Sequence, residues 1–126
     1  MKILKSNRKL KKFLKKSWHR EHLFLHDTGN MYGIGCAAFS KKSITKINDL
    51  KQRSGNKNYI VLIPKIHWLN RFGIAYQKIL HRLFRQFWPG NLTILLEDAQ
   101  KQFSHLSKSN KVGIRIPTSK LLRDFI

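Results

Sequence analysis

Tyr59-Ile60-Val61-Leu62-Ile63-Pro64 is an unbroken apolar run closed by a proline. Without polar alternation it reads as a short strand covered on both faces, and Pro64 stops it by removing a backbone donor. Downstream, Trp68, Phe72, Tyr76, Leu80, Leu83 and Phe87 keep one apolar face, which predicts a single helix from about Trp68 to Phe87. Trp88-Pro89-Gly90 ends that helix. Leu92 to Leu96 reads as a second buried strand. Val112 to Ile116 alternates, with Val112, Ile114 and Ile116 on one face and Arg115 on the other. Upstream, residues 22–26 read as a strand entering the glycine-containing segment Asp27 to Gly35. Ser40 is placed to cap a helix whose buried stripe is Ile44, Ile47 and Leu50. Thr118 or Ser119 caps a last helix carrying Leu121, Leu122 and Phe125. Helices interleave with buried strands, so the fold class is α/β, a twisted mixed sheet with flanking helices.

The chain of 126 residues is one domain's worth and shows no internal repeat or dividing linker, so residues 1–126 read as a single domain. No run of eighteen apolar residues occurs, which excludes a transmembrane helix. One cysteine, Cys36, excludes an internal disulfide framework and fits a reducing, cytoplasmic setting. With 26 Lys plus Arg against 6 Asp plus Glu the net charge is +20. Self-repulsion of that size calls for an anionic partner: nucleic acid, nucleotide phosphates or an acidic membrane surface. Nine basic residues and no acid lie in the first twenty positions, with Leu10, Phe13 and Leu14 at helical spacing. A membrane-surface helix or a presequence would share that pattern. The segment is mostly Lys where presequences favour Arg and Ser, and a first helix with a solvated basic face is the simpler reading.

Three cations, Lys51, Arg53 and Lys57, fall within seven residues of a glycine-containing loop and suit phosphate oxygens. A solvated basic loop would look the same. Arg115, sent away from the core face by the period of two, is a further phosphate candidate. Gly29, Gly33 and Gly35 follow a strand and permit close backbone approach, but no Walker Gly-Lys-Ser/Thr follows. His22 and His26 share a strand face without an accompanying cysteine, so no metal site is expected. Cys36 has no histidine at a supporting spacing for a nucleophilic pair. Glu97 and Asp98 are adjacent, and strand neighbours point to opposite faces, so paired-carboxylate chemistry is not expected. The helical aromatic stripe belongs to a core sooner than to a base-stacking platform.

Four of these pieces, in order, resemble the YrdC-like family, the threonylcarbamoyl-AMP synthases. Asp27-Thr28-Gly29-Asn30-Met31-Tyr32-Gly33-Ile34-Gly35 occupies the place of Pro-Thr-Asp/Glu-Thr-x-Tyr-Gly-x-Gly. Lys51-Gln52-Arg53 matches Lys-x-Arg, Phe87-Trp88-Pro89-Gly90-Asn91-Leu92-Thr93 matches Phe-Trp-Pro-Gly-x-Leu-Thr, and Val112-Gly113-Ile114-Arg115-Ile116-Pro117 matches Val-Gly-x-Arg-x-Pro. The resemblance spans about residues 8–126.

It implies an enzyme joining threonine, bicarbonate and ATP, with Mg2+ held mainly by the phosphates, into threonylcarbamoyl-AMP for tRNA threonylcarbamoylation. Lys51 and Arg53 would be catalytic, and with Lys57 and Arg115 would neutralise phosphates and carbamate. Thr28, Asn30, Tyr32 and Thr93 would line the threonine pocket. Binding of tRNA or double-stranded RNA goes with the fold, and a catalytically reduced RNA-binding module is the alternative. The first motif departs at Asp27, Gly29 and Asn30, where the family has proline, an acid and threonine. The family's Ser-x-Asn motif lies beyond the last element here. The resemblance therefore implies roughly the N-terminal two-thirds of the domain, with an exposed sheet edge, or a partner chain supplying the remainder.

Overall fold

Val112 and Ile114 are fully buried, and the strand that carries them, β5 (Lys111–Arg115), is the middle of a three-stranded sheet. The computed structural model describes residues 8, 12, 21–29, 31–53 and 58–126. The amphipathic stretch around Leu10, Phe13 and Leu14 falls outside them, as do Asn30 and Lys57.

On one side of β5 runs β3 (Ile60–Leu62), parallel, with Val61 opposite Ile114. On the other runs β4 (Ile94–Glu97), antiparallel, with Leu96 opposite Val112. This sheet is mixed, as expected. A second, two-stranded sheet pairs β1 (Leu23–Asp27) antiparallel with β2 (Tyr32–Cys36). The chain-wide order then completes with α1 (Lys41–Leu50), α2 (Trp68–Arg71), α3 (Leu80–Phe87) and α4 (Lys120–Phe125).

Alternation along β5 decides which face is which. Val112, Ile114 and Ile116 enter a core with Val61, Ile63 and Leu96, while Gly113 and Arg115 face the other way. On that open face Gly113 is flanked by Ile60 and Leu95, 55% and 61% exposed. Ile44 of α1, Leu69 of α2 and Phe84 of α3 join that core. Phe84 on α3 is fully buried and stacks flat on Trp88, with centroids 4.6 Å apart and planes 3° from parallel.

Ser40 caps α1 as expected, accepting from the Ser43 amide, and Ser119 caps α4 by accepting from Leu122. Phe125 of α4 meets Phe24 of β1 edge-on at 4.7 Å. Leu50 corrects the α1 stripe: the last residue of the helix is 64% exposed.

The single helix from Trp68 to Phe87 is also corrected, into α2, a connecting segment and α3. Gly73 breaks it with φ +62. Ile74 N–H donates to Leu69 O at 2.9 Å and Gly73 N–H to Asn70 O at 3.0 Å. That is a Schellman stop, and the apolar residues on either side of it, Leu69 and Ile74, are both buried in the one core cluster. Tyr76 still reaches the core from the connecting segment, edge-on to Phe84 at 4.9 Å.

The polar stretch 97–111 is an excursion that returns two side chains to the core, Phe103 and Leu106. Asp98, 3% exposed, organises it. Its carboxylate accepts from the amides of Gln102 at 3.0 Å and Phe103 at 2.7 Å. Both acceptor oxygens are thus committed to backbone.

Candidate functional site

Three segments distant in sequence meet at the end of β5 nearest α4. The first is the turn between β1 and β2. Asp27 Oδ1 accepts from the Gly29 amide at 2.7 Å, and the Thr28 hydroxyl donates to Met31 O at 2.7 Å, so this turn is held by its own side chains. The second is the turn after α3. Trp88 Nε1 donates to Leu92 O at 2.7 Å, which anchors that turn to the core indole. Gly90 donates its amide to Ile116 O at 2.8 Å. A Cβ at Gly90 would lie 2.1 Å from Phe87 O, so only glycine allows so tight a pass. The third segment is the end of β5 itself, with Pro117 and Ser119 beyond it.

Arg115 ties all three together. Nε donates to Gly90 O at 2.9 Å, Nη2 donates to Thr28 O at 2.8 Å, and Nη2 also donates to Asn91 Oδ1. Every one of these acceptors is uncharged. Beside this knot lies a cleft of about 270 Å3 lined by Asp27, Thr28, Gly29, Pro117, Thr118 and Ser119. A concavity with a carboxylate at Asp27, and with the Arg115 guanidinium bonded to the carbonyl of its lining residue Thr28, suits a small polar ligand.

Of the residues singled out in the sequence, Thr28 and Arg115 are brought into direct contact. Thr93 lies over Gly113 on the same open face, its methyl 3.4 Å from where a Cβ of that glycine would stand. Tyr32, at the start of β2, is 80% exposed. Lys51 closes α1, donating its amide to Ile47 O, and Arg53 donates its amide to Asn48 O. Among the described residues neither side chain has a hydrogen-bond or ion-pair partner, and both are exposed. The Arg53 charge acts on the Tyr59 phenol, whose hydroxyl donates to Asn48 Oδ1.

Burial raises the Tyr59 phenol above its ordinary value. Cys36 adds to the rise, and the Arg53 charge opposes it. The Cys36 thiol is raised too, by burial. Both groups are therefore held in their protonated forms.

Asn91, Gly90 and the cleft residues Thr118 and Ser119 belong to the site, and sequence reasoning gave them no role there. Asn91 fills the unspecified position of the Phe-Trp-Pro-Gly-x-Leu-Thr signature, so the motif carried no information about it. Gly90 and Thr28 act on Arg115 through carbonyl oxygens, which no side chain advertises. Among the described residues no group of three His, Cys, Asp or Glu side chains comes together, and no helix is long and apolar enough to cross a membrane.

The sequence matches the family model Sua5/YciO/YrdC, described as telomere recombination, over residues 16–126. A threonylcarbamoyl-AMP synthase of Buchnera aphidicola is 29% identical over 102 residues, covering 78% of this chain and 58% of its own. One from Neisseria meningitidis is 28% identical over 114 residues, covering 89% and 58%. The chain thus spans little more than half the length of these curated relatives. Among solved structures, a variant of P. abyssi Sua5 superposes with a TM-score of 0.76 at 22% identity, over 94% of this chain and 36% of that one. P. abyssi Sua5 complexed with L-threonine gives 0.71, also at 22% identity, over 82% and 31%.

Proposed function

The chain belongs to the Sua5/YciO/YrdC family, and on that premise we propose that it forms threonylcarbamoyl-AMP from threonine, bicarbonate and ATP for tRNA modification. The observation that carries this reading is the convergence at Arg115. Three of the four motif segments that the resemblance requires meet there through hydrogen bonds. Further support comes from the relative crystallised with L-threonine, since the cleft beside Thr28 is of a size for an amino acid.

The chemistry joins three anions or anion precursors, so the chief barrier is charge assembly. The threonine amine condenses with bicarbonate to a carbamate, releasing water. The carbamate oxygen then attacks the α-phosphorus of magnesium-bound ATP, and pyrophosphate leaves. The attacking oxygen is already ionised, so adenylation needs no dedicated general base. Cations do the work by neutralising and positioning. In this reading Lys51, Arg53 and Lys57 take the phosphates. Arg115 takes the carbamate or the α-phosphate, while Thr28, Asn30, Tyr32 and Thr93 wall the threonine site. The magnesium comes with the nucleotide and is carried by its phosphates, which few protein carboxylates need assist.

Incubation with ATP, threonine, bicarbonate and Mg2+ is expected to release pyrophosphate in a threonine-dependent way. Lys51→Ala with Arg53→Ala is expected to lower that release about 100-fold, the size of effect typical of losing a preorganised charge contact. Threonine-independent release, or release untouched by the pair, sinks the assignment.

A second reading rests on the +20 charge, which exceeds what one nucleotide site requires. It makes the chain an RNA-binding module, for tRNA or double-stranded RNA, that has kept the fold without the catalysis. Its affinity would fall about 10³-fold or more between 50 and 200 mM salt for 6–10 phosphate contacts. RNA binding with that slope and no pyrophosphate release selects this reading over the first.

A further inference from the structure

We infer that Asn91 is the positioning residue that aims the Arg115 guanidinium, and that its uncharged amide is what leaves this arginine free to meet an anion. Only the identity of the anion rests on the synthase reading.

The geometry is specific. Asn91 Oδ1 accepts from Arg115 Nη2, and among the described residues it is the one side-chain acceptor of the three groups that hold the guanidinium. The other two are carbonyl oxygens fixed by their turns, so Asn91 alone can be changed without moving the backbone. Its amide also packs over the first turn. Oδ1 lies 3.2 Å from where a Cβ of Gly29 would stand. The motif that this turn resembles carries an acid at position 29. Here the acid is replaced by glycine, and a neutral oxygen from Asn91 stands just above that place.

The electrostatic consequence follows from the acceptor type. A carboxylate on Nη2 would compensate the arginine charge, while an amide oxygen fixes the group and leaves the charge in place. Asp27, the ionisable group in the neighbouring cleft, commits Oδ1 to the Gly29 amide. Among the described residues no carboxylate forms an ion pair with Arg115. Orientation and charge are thus separable, and two substitutions separate them. Asn91→Asp keeps an acceptor and cancels charge. Asn91→Leu keeps the shape, removes the acceptor and leaves the charge.

The test uses the full chain and the Arg115 Nε–H signal in nitrogen-15 NMR, with sulfate as the probe. In the wild type the signal is expected to move saturably with sulfate. Asn91→Asp is expected to keep the Nε–H order parameter while sulfate affinity falls about tenfold. Asn91→Leu is expected to lower the order parameter while sulfate still shifts the signal, within about threefold of the wild-type affinity. A purely structural role would move order and affinity together. An Asn91→Asp protein that binds sulfate at this signal as the wild type does overturns the inference. So does a wild-type signal that saturating sulfate leaves unmoved. Pyrophosphate release measured on the same samples separates the two claims. Its absence beside the expected sulfate pattern refutes the synthase and keeps Asn91. Its presence beside unaltered sulfate binding in Asn91→Asp does the reverse.

Discussion

Arg115 Nη2 donates to the carbonyl oxygen of Thr28 at 2.8 Å, joining residues 87 positions apart. Through that bond the hairpin β1–β2, which among the described residues shares no strand pairing with the three-stranded sheet, is fastened to the end of the sheet's middle strand.

Arg115→Ala is expected to destabilise the fold by about 1.5–3 kcal/mol, the range for hydrogen bonds made by a charged donor. Arg115→Lys retains the charge but cannot reach three acceptors set around a planar fork, and is expected to recover only part of that loss. Urea unfolding of the three proteins checks both. Full recovery by lysine would mean that charge, rather than the fork, joins the turns.

Asp98 offers a sharper case, because its carboxylate is almost fully buried and serves two backbone amides. Asp98→Ala orphans both donors, at about 1–3 kcal/mol each when buried. Asp98→Asn leaves one acceptor oxygen and is expected to cost about half as much as alanine. Thermal unfolding ranks them, and faster hydrogen exchange should be confined to residues near 98–106 in the asparagine protein.

Gly73 sits at φ +62, and a Cβ there would lie 2.3 Å from the Gln100 side chain. Gly73→Ala is expected to cost about 1–2 kcal/mol for the left-handed backbone alone. Gly73→Asn, which tolerates that region better, is expected to cost less. If Gly73→Ala instead stabilised the protein and raised its helix content by circular dichroism, α2 and α3 would be a single helix and the Schellman stop would be wrong.

The raised pKa values of Cys36 and Tyr59 give a pH dependence with a definite sign. The folded protein holds the Cys36 and Tyr59 protons to higher pH than the unfolded chain does. Their contribution is fully present below the ordinary thiol value of 9.0 and is lost as pH climbs past it. Stability measured by urea from pH 7 to 11 should therefore fall above pH 9, and Cys36→Ala should flatten the first part of that fall. An unchanged profile in Cys36→Ala would exclude the thiol as its source.

Legibility in the sequence followed physical locality. The alternation of Val112, Ile114 and Ile116 and the caps at Ser40 and Ser119 are local signals, and each stands where it was expected. β2 was hidden because Gly33 and Gly35 resemble a turn. In the structure they lie beneath the His26 and Phe24 rings of the facing strand, with Cβ positions 3.0 and 2.6 Å away, so the glycines make room for their neighbours. The long apolar stripe concealed the break at Gly73, since Tyr76 still reaches the core from a non-helical segment. The pair Gly73-Ile74 was the available signal: a glycine followed by an apolar residue that folds back onto Leu69. For the candidate site, Arg115 and Thr28 were legible as residues but their bond was not, because Thr28 takes part through its backbone oxygen.

Strand order in the larger sheet carries a consequence for synthesis. The middle strand is the last of the three in the chain, so β3 and β4 emerge from the ribosome with no sheet partner yet made. The hairpin β1–β2, with both strands in hand early, can pair long before. Half of the cleft lining, Asp27 to Gly29, is therefore translated, and can be folded, some ninety residues ahead of the other half, Pro117 to Ser119. Until then the nascent chain carries two open edges that only β5 can close.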